Sequence, residues 1–183
     1  MPQGPDPDEA AEAGPASPAS FEAALLALVP ALRRYSRSLA HSDADGDDLL
    51  QDCVEVVLSR RGQWRGVNLR AWVFTIMTNL NRNRYRTAAR RPTTGIEAAS
   101  DIAAPDRTGD PLERARLRSA LDALSAENRA VLMLVALEGY SYRETADLLA
   151  IPVGTVMSRL SRARDQLGAL LAKDNILTLR RTK

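Results

Sequence analysis

The sequence predicts an all-α fold of two small helical domains joined by a flexible linker, with a helix-turn-helix in the C-terminal domain. Hydrophobic residues make up 45% of the 183 residues, whereas aromatic residues make up only 4%. Strands favour aromatic and β-branched side chains, which are sparse here. Apolar residues instead recur at three- and four-residue spacing through most of the chain, as they do on one face of a helix.

The domain boundaries are predicted from changes in composition. Residues 1–20 contain five prolines and four acidic residues but no basic residue, which is typical of a disordered acidic tail. A first helical domain is expected over residues 21–91. Residues 92–111 are rich in Thr, Ala, Gly, Asp and Pro and form the predicted flexible linker. The second helical domain is expected over residues 112–173, followed by a short C-terminal tail at 174–183.

Three helices are predicted in the first domain. The first helix should begin near Phe21, at the N-terminal boundary of this domain, and end near Ala40. The second follows a cluster of acidic residues, and either Asp45 or Asp47 could cap it. Two glycines and an asparagine then mark a loop over residues 61–68. The third helix should span about residues 69–86, with its apolar positions facing inward.

The second domain carries clear signals for where its helices start and end. Ser125 is predicted to cap one helix, and Gly139 is predicted to end it. Ser141 and Glu144 have the spacing of a capping box, which starts a short helix directly afterwards. Pro152 then breaks that helix, because the residue before a proline is pushed out of the α region. Proline is tolerated in the first turn of the helix that follows.

Helical spacing gives the last predicted helix an apolar stripe through Val156, Leu160 and Ala163. The opposite face carries hydroxyls and arginines, which can bind guanine edges or phosphates in a major groove. An ordinary solvated helix would also carry charges, but the capping box, the small Ala146 and the proline break favour a helix-turn-helix. The candidate duplex-contacting residues are Arg143, Thr155, Ser158, Arg159, Ser161 and Arg162.

Charge is segregated in the first domain, although the net charge is only +2. Residues 42–59 carry six acidic residues and no basic one, whereas residues 60–91 carry nine arginines and no acidic one. The acidic run does not fit a calcium loop, since its glycine is at the fourth position and position twelve is Val54. It is better interpreted as a docking face for a basic partner, or as a solvated face.

The basic third helix is a candidate for binding an unpaired DNA strand. Arginines that follow phosphates, with amides and an aromatic ring nearby, suit single-stranded nucleic acid. Trp64 and Arg65 lie in the preceding loop, and Trp64 could equally close the hydrophobic core beneath that loop. The polar side of the helix carries Asn79, Arg82, Asn83 and Arg86.

Several functional classes are not supported by the sequence. Cys53 is the only cysteine and lies on an apolar face, so we expect it in the core; His41 is the only histidine. Neither has partners at metal-ligand spacing, and no acid–base or nucleophile set is present, so no metal, cofactor, small-molecule substrate or enzymatic activity is expected. No signal peptide and no apolar run near twenty residues are found, so we expect no membrane insertion and a cytoplasmic location.

The motifs together resemble the extracytoplasmic-function (ECF) branch of bacterial RNA polymerase sigma factors. The resemblance covers about residues 21–173. Residues 47–55 (DDLLQDCVE) resemble the family's core-polymerase docking helix, and residues 68–80 (NLRAWVFTIMTNL) resemble the helix that leads into promoter melting. Residues 139–146 and 152–164 resemble the reader of the upstream promoter element. Residues 74–77 (FTIM) and 155–160 (TVMSRL) resemble the corresponding segments of the family's general-stress branch.

The resemblance implies partners and site residues for each part. The partners are core RNA polymerase, promoter DNA and an anti-sigma factor, and the upstream reader would bind the −35 element through the duplex-contacting residues named above. The residues implied to dock on core polymerase are Asp48, Leu49, Gln51, Asp52 and Glu55. The residues implied to hold the separated −10 strand are Gln63, Trp64, Arg65, Asn68, Asn79, Arg82, Asn83 and Arg86.

Two other functions remain open. A stand-alone helix-turn-helix regulator would bind duplex DNA tightly without polymerase. An adaptor that mimics a sigma factor would bind an anti-sigma factor and never touch DNA. Such an adaptor should have lost its outward arginines, yet Arg159 and Arg162 are present.

Overall fold

The computed structural model describes residues 18–90 and 110–180, which form helices and no strand, as the all-α prediction requires. Residues 1–17 of the tail predicted at 1–20, most of the linker predicted at 92–111, and residues 181–183 of the tail predicted at 174–183 lie outside these described residues. The elements are α1 (Pro18–Leu39), α2 (Asp43–Ser59), a 3-10 helix (Arg61–Gln63), α3 (Leu69–Arg90), α4 (Pro111–Asp122), α5 (Ala126–Ala136), α6 (Tyr142–Leu149) and α7 (Val153–Arg180).

The first three helices pack against one another around an apolar core. Tyr35 from α1, Cys53 from α2 and Phe74 from α3 are each fully buried. Burial raises the pKa of the Cys53 thiol to about 12, so this cysteine stays a protonated core residue, as expected from its position on the apolar face. Gly46 lies where α2 approaches α1, and a Cβ at this position would be 2.8 Å from the Arg37 Cα.

The start of α2 differs from the sequence prediction. Ser42 caps the helix, and its Oγ accepts a hydrogen bond from the Asp45 backbone N–H at 3.1 Å. Asp45 lies in the first turn and accepts from the Ser42 hydroxyl, while Asp47 pairs with Arg37 at 3.0 Å. The predicted caps were therefore wrong, because the two acidic residues lie inside the helix. There the positive end of the helix dipole stabilises their negative charges.

The second group of helices follows the predicted start signals closely. Ser125 caps α5, and Ser141 and Glu144 form both bonds of the capping box at the start of α6. Helix α5 ends at Ala136, just before Gly139, which has the positive φ of 74° that suits glycine. Helix α6 ends at Leu149, and its C-cap, Ala150, has a left-handed φ of 52° just before Ile151-Pro152.

Three helices are longer than the sequence predicts. Helix α1 begins at Pro18, α3 continues to Arg90, and α7 continues to Arg180. Asp110 caps α4, its side chain accepting a hydrogen bond from the Leu112 N–H at 2.9 Å.

The two groups of helices share one continuous core. Helix α5 packs against α1 and α3, and α6 packs against α3. The rings of Phe74 in α3 and Tyr140 before α6 meet edge to face at 5.7 Å. A hydroxyl contact adds to this, since Thr75 Oγ1 lies 3.3 Å from the Leu148 carbonyl. The DNA-reading candidates of both halves are therefore held in a fixed spatial relation.

In the described ranges, none of the helices combines the length and apolar character that crossing a membrane requires.

The capping box at α6 gives a prediction about stability. Replacing Ser141 by Ala removes the acceptor for the Glu144 backbone N–H and should lower the free energy of unfolding by about 1 kcal/mol.

The hydrogen bonds from Ser141 lower the pKa of the Glu144 carboxyl, so the ionised form stabilises the fold. That contribution is present above the ordinary pKa of a glutamate and is lost as pH falls through the lowered value.

Urea unfolding of the wild type and Glu144→Gln, at neutral and acidic pH, measures this contribution. The stability difference between the two proteins should shrink towards zero on acidification. A difference that is independent of pH would contradict the assignment of the ionised carboxylate to the cap.

Candidate nucleic-acid and polymerase interface

The outward face of α7 is the candidate duplex-reading surface. Val156, Leu160 and Ala163 are buried against α5 and α6, which turns the opposite side of the helix towards solvent. Ser158, Ser161, Arg162 and, on α6, Arg143 are exposed, whereas Thr155 and Arg159 are half-buried. A Cβ built on Gly154 meets no atom within 4 Å, so this face is open at the N-terminus of α7. The DNA-binding role of these residues stays a prediction.

The polar side of α3 presents the candidate strand-binding residues. Asn79, Arg82, Asn83 and Arg86 are all exposed, and Arg82 Nη2 donates to Asn79 Oδ1 at 2.9 Å. Asn81 lies between them but is buried. The exposed residues therefore share a surface on which amides and guanidiniums alternate along the helix.

The loop before α3 combines exposed polar residues with structural ones. Gln63 and Arg65 are exposed. Asn68 has a left-handed φ of 42°, and its Oδ1 accepts from the Ala71 N–H at 3.1 Å, so it caps the start of α3. The Trp64 ring packs at 5.4 Å from Phe21, and its Nε1 donates to the Val67 carbonyl at 3.0 Å. These contacts favour the interpretation in which Trp64 closes the core.

Helix α2 presents most of the candidate docking residues to solvent. Asp48, Gln51, Asp52 and Glu55 are exposed, and Gln51 Nε2 donates to Glu55 Oε1 at 3.0 Å. Leu49 is different, because it is only 1% exposed and belongs to the core. It lies beside the acidic residues, about 100° around the helix from Asp48, but its side chain is turned into the core, so its burial argues against the predicted docking contact.

Arginines of the same domain already pair with part of the acidic face. Arg84 Nη2 donates to the Asp52 carboxylate, and Arg37 donates to Asp47 with both Nε and Nη2. The hydrogen bond from Arg37 is the main reason why the pKa of Asp47 is lowered. These pairs are largely exposed, so each contributes little to stability and can be exchanged for a partner's cation.

The structure brings together residues that the sequence assigned to different DNA elements. A cleft of about 170 Å³ lies between α3 and the helix-turn-helix. Asn79 and Arg82 line it from α3, and Arg159, Leu149 and Ile151 line it from the other side. Residues predicted to bind the unpaired strand and a residue predicted to contact duplex DNA thus line the same small cleft.

Glu138, just before α6, is a buried acid that the sequence did not single out. Its side chain is fully buried and accepts from two arginines of the first three helices. Arg34 Nε donates to Oε1 at 3.2 Å, and Arg70 Nη2 donates to Oε2 at 2.9 Å and to the Glu138 carbonyl at 3.1 Å. The Arg70 guanidinium also lies over the Tyr140 and Phe74 rings, at 4.7 and 5.0 Å from their centroids.

Arg129 in α5 forms a second buried charged contact at the same junction. Only 1% of its side chain is exposed. Nη1 donates to the Leu39 and Ala40 carbonyls at the end of α1, at 3.1 and 3.4 Å, and Nη2 donates to Asp122 Oδ1 at 2.9 Å. Its Nε is buried without a partner among the described residues. A sequence signal did exist, since Arg129 falls on the apolar side of its helix together with Ala130 and Met133.

Within residues 18–90 and 110–180, no group of three or more His, Cys, Asp or Glu side chains has an arrangement that could hold a metal ion.

Comparison with known proteins places both halves of the chain in one protein family. The family model for sigma-70 region 4 matches residues 114–167, and the model for the sigma2 domain of PhyR matches residues 25–78. The ECF RNA polymerase sigma factor EcfG of Rhodopseudomonas palustris is 39% identical over 153 residues, covering 82% of this chain and 84% of that protein.

Solved structures match across both halves as well. RpoE from Bartonella quintana, in complex with the anti-sigma factor NepR, has a TM-score of 0.72 and 32% identity, covering 83% of this chain and 96% of that one. The anti-anti-sigma factor PhyR from the same organism, in complex with NepR, has a TM-score of 0.56 at 17% identity. It covers 81% of this chain and 49% of the PhyR chain, and this second likeness shows the fold alone.

The burial of Leu49 gives a prediction that separates core from contact residues. Leu49→Ala should lower the free energy of unfolding by about 2–5 kcal/mol, because it leaves a cavity in the core. Leu58→Ala is the matched control, since Leu58 is on the same helix but 43% exposed, and it should lower stability much less. Chemical denaturation measures both values, and equal small losses would show that Leu49 is not a core residue.

Proposed function

This chain belongs to the ECF family of RNA polymerase sigma factors, and we propose that it directs initiation by dividing promoter recognition between its two groups of helices. In this proposal α2 docks on core polymerase, the polar side of α3 holds the separated −10 strand, and the outward face of α7 reads the −35 duplex. The observation that carries the proposal is that acidic, basic and hydroxyl-plus-arginine faces occupy three different exposed helix surfaces.

The acidic face of α2 suits a basic partner surface. Asp48, Asp52 and Glu55 are exposed along the same side of the helix, so that their potentials add in front of it. Complementary charge steers association and determines orientation. Because Asp52 already pairs with Arg84, docking would exchange this internal partner for one on the polymerase.

The polar side of α3 suits an unpaired strand, since arginines can neutralise phosphates while amides contact bases. Arg82 and Arg86 lie about one helical turn apart, and Asn79 and Asn83 lie beside them. Trp64 contributes by supporting the loop that carries Gln63 and Arg65, because its ring and N–H are both engaged within the chain.

The outward face of α7 suits duplex DNA. Arg162 is exposed at the centre of the helix and can pair bidentately with a guanine or contact a phosphate. Ser158 and Ser161 are short enough to allow close approach to the groove. Each of these DNA contacts would be weak alone, and attachment of both halves to one polymerase would make their combined binding tight.

We infer that an anti-sigma factor regulates the chain. The matching RpoE structure, which spans both halves of this chain, is a complex with an anti-sigma factor. The similarity to EcfG favours membership of the general-stress branch. In this proposal the chemistry of transcription belongs to the polymerase, the sigma factor itself has no catalytic role, and its place of action is the cytoplasm.

An adaptor role is the second candidate, because the model matching residues 25–78 is the sigma2 domain of PhyR. The exposed Arg143 and Arg162 argue against it, since an adaptor has no need of a DNA-reading face. Run-off transcription with core polymerase on a promoter library decides between the two. Sequence-specific transcripts support the sigma role, and their absence on every template would favour the adaptor.

Arg162 provides a test of the −35 assignment. A bidentate base contact is worth about 1–3 kcal/mol, so Arg162→Glu should lower promoter-specific initiation by about tenfold or more while affinity for core polymerase stays unchanged. Run-off yield and fluorescence anisotropy measure the two quantities. Arg162→Lys keeps the charge but loses the bidentate geometry and should give an intermediate yield; full activity of Arg162→Glu would exclude this residue from the reader.

Asp48 provides a test of the docking assignment. Asp48→Arg should weaken binding to core polymerase by about tenfold, because it reverses one charge in the middle of the acidic face. Glu22→Arg changes the net charge equally from a position on α1 and is the matched control. Circular dichroism should be unchanged for both proteins, and equal core affinities for the two variants would contradict the proposed docking face.

A further inference from the structure

We propose that the cleft between α3 and the helix-turn-helix is a binding site for a small organic phosphate that also carries a hydroxyl group. The cleft has a volume of about 170 Å³ and is lined by residues of α3, α5, α6 and α7. This proposal goes beyond the proposed function, which concerns only polymerase, promoter DNA and an anti-sigma factor.

The size of the cleft limits what it can hold. A protein cavity of about 150 Å³ accommodates a benzene molecule, so a cleft of about 170 Å³ suits a molecule of similar size. Pockets for drug-sized ligands are larger, at about 300–1,000 Å³. A complete nucleotide is therefore too large to be enclosed here, whereas a phosphate group on a short carbon chain fits.

Two arginines give the cleft its positive charge. Arg82 lines it from α3, and Arg159 lines it from α7. The Arg82 guanidinium donates to Asn79 Oδ1 at 2.9 Å, which restricts its position. Neither arginine forms an ion pair within residues 18–90 and 110–180. Guanidiniums bind phosphate oxygens through charge-assisted hydrogen bonds, so two of them suit a doubly charged anion.

The start of α5 adds to this positive potential. Ala126, the first residue of α5, also lines the cleft, and the Ser125 side chain caps the helix by accepting from the Asn128 N–H at 3.3 Å. The backbone N–H groups of Ala126 and Glu127 have no partner inside the helix, because they belong to its first turn. Free N–H groups and the helix dipole at such a terminus favour a phosphate.

Asn81 is independent evidence that the cleft receives a polar group. It is only 5% exposed and lines the cleft. Its side-chain amide forms no hydrogen bond within the part of the chain that the structure describes. A buried amide without a partner is unfavourable. A ligand oxygen in the cleft would supply the missing partner.

Glu127 and an apolar wall determine which phosphate fits. Among the described residues that line the cleft, Glu127 is the only acidic one. A carboxylate repels a bare anion but accepts a hydrogen bond from a hydroxyl. Leu149 and Ile151 are half-buried in the wall and can contact a short carbon chain. The cleft therefore favours an organic phosphate with a hydroxyl group over inorganic phosphate.

Occupation of the cleft affects DNA recognition, and this consequence rests on the proposed function. There Arg82 is assigned to the −10 strand and Arg159 to the −35 duplex. A ligand that accepts hydrogen bonds from both guanidiniums occupies the groups that would contact DNA. The small phosphate and promoter DNA should therefore compete for the free chain.

Isothermal titration calorimetry with the full chain and glycerol 3-phosphate as the probe tests the site. We expect saturable binding that weakens at high salt, because the contacts are ionic. Methyl phosphate lacks the hydroxyls and succinate lacks the phosphate, so each should bind about tenfold more weakly, as expected for loss of a hydrogen bond to a charged group. Sulfate binding as tightly as glycerol 3-phosphate would indicate an adventitious ion only and would overturn the proposal.

Arg159→Gln should weaken binding of glycerol 3-phosphate by about tenfold or more, since it removes one of the two cations. Arg162→Gln is the matched control, because Arg162 is an exposed arginine of the same helix that does not line the cleft. This control should leave the affinity unchanged. Equal affinities of the two variants would place the phosphate elsewhere and contradict the proposal.

Asn81→Leu separates binding from folding. Leucine has nearly the same volume as asparagine but no amide, so the thermal midpoint should stay constant or rise while binding is lost. Glu127→Ala removes the hydroxyl acceptor and should reduce the preference for glycerol 3-phosphate over methyl phosphate towards one. Wild-type affinity in Asn81→Leu, or an unchanged preference in Glu127→Ala, would contradict the site. Arg159→Gln keeps the test valid if Asn81→Leu fails to fold.

Run-off transcription distinguishes failure of the site from failure of the proposed function. Addition of glycerol 3-phosphate to the chain before core polymerase should lower the yield of specific transcript for the wild type but not for Asn81→Leu. Calorimetric binding with an unchanged yield supports the site and contradicts the assignment of Arg82 and Arg159 to promoter reading. Specific transcripts without any calorimetric binding overturn the site alone.

Discussion

The relation between the two halves of this protein depends on one requirement: a buried carboxylate must keep its cations. Glu138 belongs to the second group of helices, but Arg34 and Arg70 belong to the first. Burial of an unpaired carboxylate is far more costly than burial of an apolar side chain. The two halves can therefore pack in this arrangement only in the orientation that brings both guanidiniums to the same point.

Aromatic and backbone contacts make this orientation specific. Arg70 is positioned by the Phe74 and Tyr140 rings as well as by Glu138, so its guanidinium has few alternative positions. Arg129 forms its bonds with the end of α1 at the other side of the junction. Removal of one partner from such a contact would leave a buried charge unpaired, so these contacts disfavour other packings of the two halves.

The functional surfaces differ in how strongly the chain itself engages them. The acidic residues of α2 pair with exposed arginines of the same domain, and such pairs are easily exchanged. In the described part of the chain, the outward residues Ser158 and Ser161 of α7 form local hydrogen bonds, to the Thr155 carbonyl at 3.1 Å and to the Asp165 carboxylate at 3.4 Å. At the cleft, Asn79 and Arg82 of α3 are exposed, whereas Arg159 of the helix-turn-helix opposite them is half-buried.

The sequence by itself determined the features that depend on neighbouring residues. Helical periodicity predicted the buried stripe of α7, and the spacing of Ser141 and Glu144 predicted a capping box with both of its bonds. Short-range signals failed where competing local partners existed: Ser42 rather than Asp45 or Asp47 caps α2. Motif resemblance assigned Leu49 to the docking surface, although helical spacing places it on the apolar side of α2, where it is buried.

Only the tertiary structure decided how the two halves meet. Trp64 could have contacted DNA or closed the core, and its packing on Phe21 favours the second. The bonds at the junction join Arg34 to Glu138 across 104 positions and Arg129 to Leu39 across 90. Periodicity and capping rules extend over one or two helical turns, so they contain no information about such pairs. The physical reason is that the partner of a buried charge is chosen by the packing of whole helices, not by the residues beside it.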